Sequence, residues 1–153
     1  MDNLEGTKKR ALRILSNRSI SEQGMYKRLT EKGEPEENAA ETVRWLVEIG
    51  YINDSDYATS IVRHYSRRGY GEGRVRDELY KRGIPRNLWD DALTELDDED
   101  MGDVALEFLK KKLRGSDDKD DLRRATDALV RRGFSYNDAR SAINKYLNIE
   151  EEY

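Results

Sequence analysis

The chain has no cysteine, a single histidine, His64, and only two prolines in 153 residues. Without thiols there can be no disulfide framework and no thiolate-bound zinc or iron–sulfur centre, which agrees with a reducing compartment. One histidine, with no serine in a nucleophile-elbow context, leaves a histidine-based triad unsupported. Among the arginines of VRHYSRR, His64 reads as a partly exposed helical residue whose charge tunes a basic face. Long apolar runs are missing as well. The first residues, MDNLEGTKKRALRIL, hold no apolar h-region, and nowhere do about 18 apolar residues follow one another, so a soluble, cytoplasmic protein without a membrane span is expected. Hydrophobic residues make up 36% of the chain against 39% charged, thin core material for a globule, and an elongated shape is expected.

The net charge of −4 argues against a generic DNA-binding domain, but the charge is sorted along the chain. Thr7 to Arg28 carries seven Lys/Arg against one Glu, and Tyr57 to Arg86 carries eight against three acids. Acid collects at Glu31 to Glu48, Asp97 to Asp103, Asp117 to Asp121 and in the tail Glu150 to Glu152. Most such runs are solvated helix surface, yet a protein touching both an acidic polymer and a protein partner has this pattern too.

What the chain does have is a repeat. EKGEPEENAAETV, KRGIPRNLWDDAL and RRGFSYNDARSAI recur at 50-residue intervals with Gly33, Gly83 and Gly133 in register. Four residues before each glycine stands Leu29, Leu79 or Leu129, and ten after it Val43, Leu93 or Ile143. Three further on come Leu46, Leu96 and Tyr146, so each segment after the hinge is predicted to be a helix with one buried face. Glycine at C′ stops the preceding helix because it reaches φ > 0 without a Cβ clash, and Lys32, Arg82 and Arg132 suit the negative helix end. Pro35 and Pro85 are expected at N1 of the next helix, and Ser135 with Asp138 resembles a capping box. Upstream, Ala11, Leu12, Leu15, then Ala58, Ile61, Val62, then Ala105, Leu106, Leu109 open each copy at 47-residue spacing.

The expectation is an all-α chain of three tandem three-helix repeats forming an elongated, curved array. Its parts are a lead-in at 1–6, repeats at 7–54, 55–99 and 100–148, and an acidic tail at 149–153. Such units bury their apolar faces only by stacking, and the extended surface they leave suits polymeric partners.

Local candidates for chemistry are few. GYGEGR, Gly69 to Arg74, superficially matches a phosphate-cradling loop but lacks the GK[ST] ending and a preceding strand. Its glycines read as a turn between helices, with a second reading in which their amides, beside Arg67, Arg68, Arg74 and Arg76, meet a phosphate. LDDEDMGD and SDDKDD do not match the EF-hand pattern and read as solvated linkers. Trp45 and Trp89 read as core, whereas Tyr65, Tyr70 and Tyr80, lying among arginines, are compatible with stacking on single strands. No catalytic residue, metal site or cofactor is expected.

GYINDSDYA, GEGRVRDELYKRGI and RRGFSYNDARSAI, in that order and spacing, resemble the RecX regulatory proteins of bacteria over roughly Thr7 to Leu147. The resemblance implies a non-enzymatic modulator built of three-helix repeats. Its partner would be the RecA filament on single-stranded DNA, in whose groove it would lodge to restrain strand exchange, ATP hydrolysis and co-protease activity. Weak direct DNA binding and a monomeric state complete the expectation. Repeat three departs from the family pattern, with no proline after its glycine and a long acidic loop. The family carries no catalytic motif to transfer, so contact residues come from charge and position: Arg63, Arg67, Arg68, Arg74, Arg76, Lys81 and Arg82, with Arg131 and Arg132. The alternatives are a stand-alone helical DNA-binding protein, a helical scaffold of the HEAT kind and, most distant, an enzyme. Steep salt dependence without RecA would mark the first of these.

Overall fold

The structure is a computed structural model that describes residues 3–151, with side chains as far as Asn148. Among these residues the backbone forms nine α-helices and no strand: α1 (Leu4–Asn17), α2 (Glu22–Glu31), α3 (Glu36–Glu48), α4 (Asp54–Arg67), α5 (Glu72–Lys81), α6 (Trp89–Leu93), α7 (Asp98–Leu113), α8 (Lys119–Arg131) and α9 (Tyr136–Glu151). The side chains of the acidic tail, Glu150 to Glu152, lie outside the described residues, as do Met1 and Asp2 of the lead-in.

The three hinges are built alike. Gly33, Gly83 and Gly133 have φ of 93°, 74° and 99°. In each, the glycine amide donates to the carbonyl three residues back, and the next residue's amide reaches the buried leucine's carbonyl: Glu34 to Leu29, Ile84 to Leu79 and Phe134 to Leu129, at 3.0, 3.0 and 3.1 Å. This is the double hydrogen bond of a Schellman end, and it requires the left-handed conformation that glycine supplies. Leu29, Leu79 and Leu129 are fully buried beneath the turn.

Three local expectations are corrected. Pro35 and Pro85 are not N1 residues: their ψ of 141° and 140° is extended, so each occupies the N-cap, and helical turns begin at Glu36 and Arg86. The third helix of the middle copy is short, a 3-10 turn at Arg86–Leu88 running into the five residues of α6. Leu96 therefore lies in a loop, because Asp97 directly after it caps α7, accepting from the amide of Glu99 at 2.8 Å. The acidic runs are helix starts rather than linkers. Asp97 caps α7, and Asp118 caps α8 by accepting from the amides of Asp120 and Asp121 at 3.1 and 3.2 Å. Carboxylates there meet the unpaired amides and the positive helix end.

The chain divides into two compact units, residues 1–60 with 79–92 and residues 61–78 with 93–153. In unit one, α1, α2 and α3 close on Ala11, Ile14, Met25, Leu29, Val43 and Leu46. Ile84 and Trp89 are buried there too, with the Trp89 indole donating to the Ile84 carbonyl at 2.9 Å. In unit two, α7, α8 and α9 close on Leu109, Leu113, Leu129, Phe134, Ala142 and Tyr146. The α1–α3 and α7–α9 copies thus each close a core, whereas the middle copy, with its truncated third helix, contributes to both units.

Candidate functional site

Seven of the nine candidate cations fall in unit two and two, Lys81 and Arg82, in unit one. Within unit two the structure sorts them. Arg132 is committed to the fold: its guanidinium donates to the carbonyls of Gly69 at 3.1 Å and Arg68 at 2.8 Å. It also stacks over Tyr70 and Phe108, 4.5 and 5.2 Å from the ring centroids. A cation that completes a helix C-terminus and covers two rings is held by its own chain. Arg74 donates to Glu78, itself buried, at 3.2 Å and lies over Tyr65 and Tyr70. Arg76 is paired with Glu72 at 2.9 Å and Arg63 with Glu95 at 3.1 Å. Arg67, Arg68 and Arg131 are exposed and make no side-chain ion pair or hydrogen bond among the described residues.

The phosphate reading of GYGEGR is overturned. The Gly71 amide donates to the Arg132 carbonyl at 2.8 Å and the Gly73 amide to the Gly133 carbonyl at 2.9 Å. A Cβ on Gly71 would fall 2.5 Å from the Gly133 carbonyl carbon and the Phe134 nitrogen. These glycines permit close backbone packing against the third hinge, and their amides are spent on it. The depression beside them places Arg74 and Arg131 with Glu72, Asp77 and Asp138, an acid majority that does not attract a polyanion. Tyr65 and Tyr70 are half-buried beneath Arg74, whereas Tyr80 stands 77% exposed.

Unit one gathers the candidates Lys81 and Arg82 with four cations that the sequence reading did not nominate. The joint is a hydrogen bond from the Ser21 hydroxyl, at the N-cap of α2, to the Arg82 carbonyl at 2.6 Å. It brings the first turns of α2 against the second hinge and opens a groove of about 880 Å³. Lys81 and Arg82 line it, as do Arg18, Lys27, Arg28 and Arg86, against one carboxylate, Glu31. Arg82 donates to the Tyr57 hydroxyl at 2.9 Å, and Arg86 lies 4.6 Å from the Trp89 ring centroid. The Nε of Arg28 is buried and has no hydrogen-bond partner among the described residues. Six cations converging on one carboxylate make a strongly positive surface on a protein whose total charge is −4. The surplus of cations in Thr7 to Arg28 was the available signal, but only the Ser21–Arg82 joint shows where it faces.

Below the joint, the Asp54 carboxylate accepts from the Glu22 amide at 2.9 Å. Burial pushes the Asp54 carboxyl up, partly offset by that amide. Glu22 is also raised, by burial first and then by the charge of Asp54 and a hydrogen bond to it. Elsewhere, no three His, Cys, Asp or Glu among the described residues are grouped to hold a metal ion, and no described helix is long and apolar enough to cross a membrane.

Comparison with known proteins places this architecture. The family model described as "RecX, second three-helix domain" matches residues 53–93. A regulatory protein RecX from Vibrio cholerae is 32% identical over 135 residues, covering 87% of this chain and 88% of that protein. A crystal structure of RecX from Lactobacillus salivarius superposes with a TM-score of 0.82 at 23% identity, covering 94% of this chain and 96% of that one. A second crystal structure, of a regulatory protein RecX, gives the same TM-score of 0.82 at 26% identity, over 92% of this chain and 73% of the other.

Proposed function

This chain belongs to the RecX family of regulatory proteins, and on that premise we propose that it binds the RecA filament on single-stranded DNA and restrains its recombinase, ATP-hydrolysing and co-protease activities. The observation that supports the reading beyond family membership is the division of its cations. Arg132, Arg74, Arg76 and Arg63 are held by their own chain, while Arg67, Arg68 and Arg131 in unit two and the six groove cations in unit one point into solvent or line an open groove. Cations on accessible surfaces of an acidic protein suit a partner that presents phosphate and protein together, since the acidic faces repel bare polyanion while the basic ones grip it. The protein acts by occupancy, without a cofactor.

Co-sedimentation tests the reading. The protein is mixed with RecA filaments assembled on single-stranded DNA with a slowly hydrolysed ATP analogue. It is expected in the pellet, and the triple variant R67E/R68E/R131E is expected to be depleted from it about tenfold or more, as rim charges set the association rate. Wild-type protein left in the supernatant at micromolar filament concentrations would contradict the proposal.

A further inference from the structure

We propose that the groove of unit one receives the acidic end of α9 from a second copy of this chain. The inference does not rest on the filament reading, because neither RecA nor a nucleic acid takes part in it. The groove sets six cations against one carboxylate, Glu31, which is already shared with Lys27 at 4.0 Å. The buried Arg28 Nε has no hydrogen-bond partner among the described residues, and a carboxylate is an acceptor that a guanidinium donor meets well. The chain carries its own complement. Its last residues read NIEEEY, with Glu150, Glu151 and Glu152 in succession. Whereas α2, α5, α7 and α8 carry Arg or Lys in their last turns, α9 is helical through Glu151 and has no basic residue there. Glutamates at that position add to the negative helix end instead of offsetting it, which makes an anionic terminus that a cationic surface relieves.

The residues beside the glutamates have a place as well. A second depression of about 570 Å³ is lined by Leu12, Leu15, Tyr51 and Tyr57 and holds one carboxylate, Asp56. It shares Arg18, Ser19, Ile20 and Tyr57 with the basic groove, so the two form one continuous channel. Tyr51 stands 62% exposed at its apolar end. In the sequence Ile149 and Tyr153 flank the three glutamates, so the segment sets apolar residues beside its charge as the channel sets an apolar wall beside its cations. A helix end in a short groove buries little surface, so the contact is weak, reversible and formed as the protein is concentrated. It is heterologous, because the surface offered by one copy differs from the surface it meets on the other. A groove filled in this way is closed to other anions, so self-association opposes engagement of any other acidic partner there.

Sedimentation velocity on the full chain tests this. Association is expected to grow with concentration up to roughly 300 μM at about 0.05 M salt, and to vanish at about 1 M, where charges are screened beyond about 3 Å. E150K/E151K/E152K puts lysines where a helix end favours them, which keeps the fold, and is expected to weaken association about tenfold or more. R18E/K81E alters two exposed groove residues and is expected to weaken it by about the same factor. Mixing the two variants is expected to restore association, because the native groove of one meets the native helix end of the other. A wild-type chain that sediments as a monomer throughout, association that either variant retains, or variants that stay apart when mixed would each overturn the assignment. None of these results bears on co-sedimentation with RecA filaments, so the two readings fail separately.

Discussion

Replacing Gly71 with alanine probes the joint on which unit two depends. The residue begins the turn into α5 within van der Waals distance of the third hinge, and an added Cβ would sit 2.5 Å from two backbone atoms and 2.6 Å from the Gly133 carbonyl oxygen. Backbone cannot swing aside as a side chain would, so the hinge must separate from α5. Overpacking of this kind costs roughly 1–3 kcal/mol. The separation also weakens the bonds from the Gly71 and Gly73 amides, 2.8 and 2.9 Å long, at about 0.5–1.5 kcal/mol each. Together these put the loss at about 2–6 kcal/mol, or a fall in Tm of roughly 4–24 °C at this chain length. The control is Gly33→Ala. That glycine has φ of 93° but no atom within 4 Å of an added Cβ, so only the left-handed strain remains, about 1–2 kcal/mol. Thermal unfolding followed by far-ultraviolet circular dichroism compares the two. If Gly71→Ala is no less stable than Gly33→Ala, the close backbone approach is not what holds the third hinge.

Further consequences follow from single contacts. Arg132→Lys keeps the charge but cannot donate to two carbonyls and lie flat on Tyr70 and Phe108 together; about 1–3 kcal/mol of stability should be lost in urea denaturation, and an unchanged midpoint would show the guanidinium to be dispensable. Trp89→Phe removes the indole bond to the Ile84 carbonyl and should cost about 1–3 kcal/mol in the same assay. Glu22 and Asp54 have folded pKa values raised above their ordinary 4.5 and 3.8, so the folded state binds protons more readily there than the unfolded chain. Their contribution is complete below those ordinary values and is lost as pH rises through the raised ones. Urea midpoints of wild type and Glu22→Gln should therefore approach each other on acidification, where the wild-type carboxyls are protonated, and separate as pH rises through the raised values; parallel curves would remove the pair from the pH response.

The hinges were legible because their chemistry is local. A glycine required at φ > 0, a leucine four residues before it and a basic residue beside it are written within a few positions, and all three copies adopt the same double hydrogen bond. Leu96 misleads by periodicity: its spacing matches Leu46 and Tyr146, but Asp97 competes for the backbone as a cap and ends the helix first. The glycines of GYGEG carry no local mark of their purpose, since the atoms they accommodate lie about sixty residues away at Gly133. The same holds for the arginines. Pairing of Arg74 with Glu78 and of Arg76 with Glu72 is implied by their i, i+4 spacing, whereas the capture of Arg132 by the Arg68 and Gly69 carbonyls is a tertiary event. The unit-one groove joins one basic block to the end of another through Ser21 and Arg82, 61 residues apart. Block charge was readable, but convergence was not.

Restraint of RecA is the activity we propose for this protein. Single-stranded-DNA-dependent ATP hydrolysis by RecA, with the protein titrated in below one copy per RecA monomer, tests it most directly. Hydrolysis is expected to fall progressively as the protein is added, and R67E/R68E/R131E is expected to restore most of it. Hydrolysis unchanged up to an equimolar ratio, under conditions where RecA filaments are formed, would contradict it.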